Sequence, residues 1–361
     1  MADATGLSAR RNRVKIYDSI FGEGNVAMRM STSLLCGVAL ASGLMLAQGA
    51  AAEEIKIGLL KSTSSGPIYI AVEKGYFKDV GLEPNVITFP SAQPMSVAAT
   101  GGDIDVGLTA YTGGLFALAG QGGVRLIAGY AQNAISFHSD AMVVSNNAWN
   151  AGVRSPKDFA NHSFGVSAIG APPHYELALL AEKYKFDFKS VRVVPLQSLA
   201  GVASALTGNQ VDMSSLLGSA ALPLIDKGDV KLLGWTGDEV PFPLGGVFTG
   251  TKTATEHPDR LAKFLRVYKR GVKEYHDAVT GPDGRRAEGP GSDEVAAIIA
   301  KNTGLTPAQV KEGAVYFDPE ARLDEAGTMH EIEWFLKEGM IKDRVDPKQL
   351  FDERFVVNLP H

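Results

Sequence analysis

Short apolar stretches alternate with helical patterns in the first third of the chain. The apolar stretches are residues 55–60, 85–89 and 104–108. Each is followed by a small or polar loop and then by apolar residues at helical spacing, which predicts buried parallel strands joined by helices. In an open α/β sheet the crevice outside the carboxyl ends of the strands binds ligands. The loops predicted to line that crevice are residues 62–66, 90–93 and 109–114.

The same alternation returns further along the chain. The predicted elements are strand 163–167, helix 175–184, strand 191–195, helix 198–207, strand 211–214, helix 218–227 and strand 230–234. Asp212 in GNQVDM stands at the start of its strand as Asp105 does in GDIDV, in each case after a helix that ends at glycine. We therefore expect two α/β lobes of similar topology.

The length of 361 residues exceeds that of an ordinary single domain and fits two lobes. A proline- and glycine-rich return at residues 241–247 predicts a second crossing between them. Three later helices, at 293–302, 307–313 and 320–339, are expected to pack back on the first lobe. The predicted division is an uncertain extension (1–27), a signal peptide (28–52), the first part of lobe I (53–143), lobe II (144–243), and a return to lobe I with C-terminal helices (244–361).

The N-terminal segment has the layout of a secretory signal peptide. A short basic start, MRM at residues 28–30, precedes an apolar run, and AAA at residues 50–52 offers a cleavage site before Glu53. The apolar run is interrupted by polar residues and glycines and is short for a membrane span. The mature protein is therefore expected in the periplasm.

Composition excludes several classes of function. The net charge of −5 provides no basic surface for nucleic acid. Cys36 is the only cysteine and lies inside the predicted signal peptide, so the mature chain lacks disulfides, thiolate metal sites and cysteine nucleophiles. His330 and Glu331 begin like a zinc-protease motif, but no second histidine follows, and we interpret them as a solvated helix face. We predict no catalytic residue, no metal site and no cofactor.

One stretch carries a family resemblance. Residues 66–79 (GPIYIAVEKGYFKD), followed by a Gly-Leu pair at residues 81–82, resemble the first helix of periplasmic substrate-binding proteins of the nitrate/sulfonate/taurine type. Ala98 and the run GDIDVG at residues 102–107 resemble that family's second helix-to-strand passage, and the similarity extends from about residue 54 to residue 275. This family belongs to the thiamine-pyrimidine-synthase-like superfamily.

The resemblance implies the type II periplasmic binding protein fold, with two α/β lobes joined by a hinge and a ligand cleft between them. It implies that the protein captures a small solute for an ABC importer, whose permease and ATPase would be its partners. A monomer is expected. The competing expectations are an enzyme of the same fold, such as a pyrimidine-precursor synthase, and a periplasmic sensor subunit. The synthases would need a reactive lysine and a cysteine-rich metal motif, and the mature chain has no cysteine.

Candidate ligand-binding residues lie in the loops after the predicted strands. Serine hydroxyls and free backbone N–H groups at helix starts can bind polar ligand atoms, and tyrosines can stack on a ligand. For each residue the alternative is a helix cap or a core position. The candidates are Ser64, Ser65, Gly66, Tyr69, Ser91, Ala92, Gln93, Thr109, Tyr111 and Thr112 in lobe I, and Pro173, His174, Tyr175, Gly218 and Ser219 in lobe II.

The predicted cleft loops contain no arginine, and only Lys61 is near them. A dedicated sulfonate or nitrate site would usually use a bidentate cation, so this sequence departs from the oxyanion-binding pattern. The tyrosines, phenylalanines and histidines favour a planar ligand, such as a pyrimidine or an aromatic acid, with a small anion as the alternative.

Overall fold

A computed structural model of the protein describes residues 52–359. The predicted extension, Cys36, and the predicted signal peptide except for Ala52 lie outside the described residues. Within residues 52–359, none of the helices has the length and apolar character that a bilayer crossing requires.

The described chain alternates strands and helices throughout. The strands are β1 (Glu53–Leu60), β2 (Leu82–Phe89), β3 (Val106–Ala110), β4 (Val124–Gly129), β5 (Gln132–Asn133), β6 (Asp140–Ser145), β7 (Ser163–Val166), β8 (Arg192–Pro195), β9 (Met213–Leu217), β10 (Val230–Trp235), β11 (Phe242–Pro243) and β12 (Gly245–Gly250). The helices are α1 (Gly66–Glu73), α2 (Ala92–Gly101), α3 (Gly113–Gly120), α4 (Asn146–Asn150), α5 (Pro172–Tyr184), α6 (Leu199–Thr207), α7 (Gly218–Lys227), α8 (Thr236–Glu239), α9 (Thr251–Glu256), α10 (Pro258–Val279), α11 (Ser292–Thr303), α12 (Pro307–Glu312), α13 (Glu325–Lys337) and α14 (Pro347–Leu350).

The first lobe is built on a five-stranded sheet in the order β2-β1-β3-β12-β4. β1 is parallel to β2 and β3, as predicted, whereas β12 is antiparallel to β3 and β4 because it returns from the second lobe. Ile55, Ile57 and Leu59 alternate along β1 and are buried in the core that includes α1 and α10. A second core, on α2, α3 and α13, covers the opposite face of the sheet.

The second lobe is built on a sheet in the order β10-β6-β9-β7-β8. β7 is parallel to β8 and β9, and β6 is antiparallel to β9 and β10. One face of the sheet packs against α5, and the other packs against α6 and α7. The two sheets with helices on both faces confirm the predicted two-lobed α/β fold.

In each lobe an aspartate side chain binds the backbone of the neighbouring strand at the equivalent position. Asp105 accepts a hydrogen bond from the backbone N–H of Lys56 at 2.8 Å, and Asp212 accepts one from the backbone N–H of Ser163 at 2.7 Å. In each lobe the donor lies 49 residues before the acid. β3 and β9 begin directly after these aspartates, two residues later than predicted, because each aspartate binds the neighbouring strand through its side chain.

Asp105 also pairs with Arg260, whose Nη2 lies 2.8 Å from Oδ1, and both side chains are largely buried. Replacing Asp105 by asparagine is expected to lower the free energy of unfolding by about 2 kcal/mol, because the amide loses the charge that binds Arg260. Urea denaturation measures this loss. The matched Asp212→Asn variant is expected to lose less, since within residues 52–359 Asp212 has no arginine partner and lies 3.5 Å from a ring nitrogen of His162. Equal losses would contradict the role given to Arg260.

Two short strands carry the chain between the lobes. β5 pairs with β11 in antiparallel register, with Asn133 opposite Phe242 and Gln132 opposite Pro243. Tyr316 joins them from the C-terminal segment, since its carbonyl accepts the Gln132 N–H at 2.9 Å. We call β5, β11 and Tyr316 the hinge ribbon.

The C-terminal helices differ from the prediction. α11 packs on α1 and α10, as expected, but α12 and α13 contact both lobes. Gln309 of α12 donates to Asp226 of α7 at 2.8 Å. The ring of Phe335 on α13 lies 5.7 Å from that of Phe116 in lobe I and 6.5 Å from that of Tyr175 in lobe II. α12 and α13 therefore make contacts with lobe II in addition to the contacts with lobe I that we expected.

Candidate functional site

The loops after the strands of the two lobes meet one another. The N–H of Gly113, after β3, donates to the carbonyl of Gly170, after β7, at 3.0 Å. The N–H of Leu199, after β8, donates to the carbonyl of Pro90, after β2, at 3.5 Å. We call the space between these loops the interlobe cleft. It is bounded by the strand ends at which an open α/β sheet presents ligand-binding groups.

A cluster of hydroxyls follows β1. The Ser62 and Ser64 Oγ atoms lie 2.7 Å apart, so one hydroxyl donates to the other. Ser65 Oγ donates to the Leu60 carbonyl at 2.6 Å, and Tyr69 Oη approaches the same oxygen at 3.4 Å. These serines and the tyrosine are buried, so their hydroxyls are held at fixed places at the end of the strand.

Gly66 and Ala92 are the first residues of α1 and α2. A side chain at position 66 would place its Cβ 2.7 Å from the Tyr275 ring, so this glycine allows α1 to pack closely on α10. Ala92 is 9 % exposed and packs into the lobe I interior.

Helix caps distinguish the next two candidate loops. Thr112 caps α3, because its Oγ1 accepts the Leu115 N–H at 3.0 Å. Ser91 occupies the cap position before α2. The residue is only 7 % exposed, but its side chain makes no capping hydrogen bond. Gln93 lies over Gly114, where a Cβ would come 2.4 Å from the amide nitrogen of Gln93. Ser91 therefore keeps its hydroxyl available, whereas that of Thr112 is used.

Two buried hydroxyls at strand ends of lobe I have no hydrogen-bond partner. They belong to Thr109, in β3, and Tyr130, directly after β4. Ser64 and Ser65 lie beside the Tyr130 hydroxyl. Burial raises the pKa of Tyr130, so its O–H remains a donor at neutral pH. Tyr130 was not among the residues predicted from the sequence, although its position at a strand's carboxyl end was a usable signal.

Two candidate tyrosines point at α13. Tyr111 is fully buried, and its Oη lies 3.2 Å from Thr328 Oγ1. The Tyr175 Oη lies 2.8 Å from His330 Nδ1. The two phenols come from different lobes, so one helix receives a hydrogen-bonding side chain from each of them.

His174 holds the contact between the lobes in place. Its Nδ1 accepts the N–H of Gly170 at 3.2 Å, and the Gly170 carbonyl in turn accepts the N–H of Gly113. The imidazole packs between Phe188 and Trp334, with ring centroids 5.5 and 5.6 Å away. Burial lowers the pKa of His174 to about 4, so the ring is neutral at physiological pH.

The other lobe II candidates begin helices. Pro173 is half-buried in the first turn of α5. Gly218 begins α7, and its N–H donates to the Ser139 carbonyl at 2.7 Å. A Cβ at Gly218 would lie 2.3 Å from the His138 carbonyl, so only glycine fits there. Ser219 follows it and is half-buried.

Glu331 overturns one expectation. We interpreted this residue as part of a solvated helix face, but it is 1 % exposed, and both carboxyl oxygens are buried without a hydrogen-bond partner. The helical spacing of Thr328, Ile332 and Phe335 places position 331 on the buried side of α13, and that spacing was the signal available in the sequence.

A buried polar network lies beside the hinge ribbon. Asn133 donates to Asp140 at 2.9 Å and accepts from the Ser139 hydroxyl. Thr236 Oγ1 donates to Glu176 Oε1 at 2.8 Å. Burial raises the pKa of Asp140 to about 6 and that of Glu176 to about 8, and the negative charge of Asp140 adds to the rise at Glu176. At neutral pH Glu176 is therefore mostly a neutral acid.

Residues 52–359 contain no cluster of histidine, cysteine and acidic side chains arranged to hold a metal ion. The sequence model of the NMT1/THI5-like family matches residues 62–282, more than half of the chain. No curated protein sequence matches the chain.

Solved structures with the same fold include several binding proteins. The ligand-binding component of an ABC-type import system from Staphylococcus aureus, with zinc bound, is 13% identical, with a TM-score of 0.66 over 84% of this chain and 97% of that one. The aliphatic sulphonate binding protein SsuA of Escherichia coli is 14% identical, with a TM-score of 0.62 over 86% and 94% of the two chains. The nitrate-binding protein NrtA of Synechocystis is 12% identical, with a TM-score of 0.62 over 80% and 82%.

These identities establish a common fold, and the solutes named belong to those proteins. Two α/β lobes, a hinge ribbon and a cleft bounded by strand ends agree with that fold, and the family match covers most of both lobes. The resemblance noted in residues 66–79 is thereby confirmed, and this chain is a member of the NMT1/THI5-like family.

Proposed function

We propose that the protein is the extracytoplasmic solute-binding component of an ABC importer. The observation that carries the proposal is the pairing of strand-end loops from two α/β lobes across the interlobe cleft, with a narrow hinge ribbon as the connection. A small organic solute between the lobes would contact both of them. It would stabilise the closed form by its greater affinity for that form.

The proposed ligand-binding set is the group of candidate residues named from the sequence, with Tyr130 added. Two observations support a polar ligand in lobe I. The Thr109 and Tyr130 hydroxyls are buried without a partner, and an unmade hydrogen bond on a buried group costs about 1–3 kcal/mol. A bound solute that reaches these hydroxyls would recover this free energy.

The proposed cellular context follows from the same role. The protein would act in the periplasm as a monomer and present its closed, loaded form to a permease that works with an ATPase. A sensor subunit would bind solute in the same way, and reconstitution with a permease would separate the two roles.

Thermal unfolding against a panel of solutes tests the proposal. The panel contains pyrimidines, amidines, aromatic carboxylates, sulfonates and nitrate, each at several concentrations. We expect one class to raise the unfolding midpoint, and a solute at 100 times its Kd would stabilise the protein by about 2.7 kcal/mol. Chromatography after prolonged incubation should recover the solute unchanged. No stabilisation by any solute would contradict a binding role, and conversion of the solute would indicate an enzyme.

A further inference from the structure

We propose that the solute carries a planar cationic group with paired N–H donors, an amidinium or a guanidinium, and that Glu331 binds this group. The inference rests on the proposed solute-binding function and identifies the chemical class of its ligand.

The first step is the state of the carboxyl group. Glu331 is 1 % exposed, and neither Oε1 nor Oε2 has a hydrogen-bond partner. The other buried acids have partners: Asp140 accepts from Asn133, and Glu176 accepts from Thr236. An acid at a buried position without any donor is costly for folding, and a residue kept there for packing alone would be apolar.

The second step is the position of Glu331 between the lobes. It lies about one helical turn from Thr328, which meets the Tyr111 phenol of lobe I, and about one turn from Phe335. A Cβ at Gly113 or at Gly170, where the lobes touch, would lie 3.3 or 3.4 Å from the Phe335 ring. The carboxyl group therefore lies along the face of α13 that leads to the interlobe cleft.

The electrostatic effect of Glu331 on two tyrosines also places its carboxyl group between the lobes. Burial raises the pKa of Tyr111 in lobe I and of Tyr175 in lobe II, and the charge of Glu331 adds to the rise in both. One carboxylate is thus within electrostatic reach of a phenol from each lobe. Opening of the lobes would give a solute access to it, and closure would exclude water from the pair.

The third step is the chemistry of the group that fits. Two unpartnered oxygens of one carboxylate match two parallel N–H donors in a plane. Aromatic rings around the helix favour a flat ligand: the Trp334 ring centroid lies 4.9 Å from that of Phe335 and 5.3 Å from that of Tyr175. A sulfonate or nitrate at this place would have no positive charge to pair with, in agreement with the absence of arginine from the predicted cleft loops.

Binding is expected to release a proton. Burial raises the pKa of Glu331 well above its usual range, which favours the protonated acid in the empty site. A cation that pairs with Glu331 favours the carboxylate, and the proton leaves to the buffer. A neutral solute, or one that binds elsewhere, would not produce this release.

Calorimetry on the purified protein tests the inference with benzamidine and methylguanidine as probes. Benzamide and benzoate serve as the neutral and anionic counterparts of benzamidine. We expect at least one donor-bearing probe to bind at least tenfold more tightly than both counterparts. Titrations in buffers of different ionisation enthalpy should show that protons are released when a cationic probe binds.

Variants separate binding at Glu331 from binding elsewhere. Glu331→Gln and Glu331→Met are expected to weaken the tightest probe by tenfold to a hundredfold and to abolish proton release. Glu333→Gln, on the exposed side of the same helix, should change neither. Unchanged affinity and proton release in both Glu331 variants would overturn the inference. If only anions stabilise the protein, the inference about Glu331 is wrong but the solute-binding function stands. If no solute stabilises the protein, the solute-binding function itself is rejected.

Discussion

Replacing Phe335 by alanine is expected to lower the free energy of unfolding by about 3–5 kcal/mol and to loosen the contact between the lobes. The Phe335 ring is fully buried and packs against Phe116 of lobe I and Tyr175 of lobe II. Its removal leaves a cavity at the place where Gly113 and Gly170 meet. Urea denaturation measures the loss of stability, and small-angle X-ray scattering measures the radius of gyration of the ligand-free protein.

A second phenylalanine provides the control. Phe264 is as buried as Phe335 but lies inside lobe I, against Phe77 and Tyr268. Phe264→Ala is expected to cost a similar free energy without changing the radius, whereas Phe335→Ala should increase it. The same radius in both variants would show that α13 does not hold the lobes together.

The free energy of unfolding is expected to decrease between pH 6.5 and pH 8, by up to about 1.4 kcal/mol per pH unit from Glu176. Burial raises the pKa of Glu176 to about 8 in the folded protein, against about 4.3 in an unfolded chain. The folded state therefore holds the proton that the unfolded state has lost, and increasing pH favours unfolding until the folded protein also loses it.

Other buried groups also contribute to the pH dependence of the free energy of unfolding. Burial raises the pKa of Asp140 to about 6 and lowers that of His174 to about 4, so these two residues act in opposite directions mainly below pH 6.5. The pKa of Glu331 is also raised by burial, so the quantity of interest is the difference between wild type and Glu176→Gln. The variant should lose the Glu176 slope, and Glu182→Gln, on an exposed position of α5, should retain it. An unchanged slope in Glu176→Gln would contradict a neutral Glu176.

The sequence was sufficient where a local signal decided the structure. Helix α7 begins and ends where predicted, at Gly218 and Lys227, because glycine residues mark both of its ends. Strand β12, in contrast, returns antiparallel between β3 and β4, and no local pattern encodes that partner choice. The start of β3 was also missed, since the bond from Asp105 to the Lys56 N–H joins residues far apart in sequence.

The candidate site was predicted less well than the fold for a similar reason. Tyr111 directly follows β3, but no local pattern shows that its hydroxyl meets Thr328 of α13. Glu331 was missed because a glutamate in a helix is usually exposed, and only the packing of α13 against both lobes buries it.

The register of the hinge ribbon bears on whether the second lobe could be exchanged between related proteins. Asn133 and Phe242 lie opposite each other, and the sheet of the second lobe is formed entirely by residues between them. That lobe therefore has the geometry of an inserted cassette, whose two ends are adjacent in space. Cutting and splicing at these two positions would replace one wall of the interlobe cleft by that of a related protein. The sheet of the first lobe, including β12, would keep its own strands.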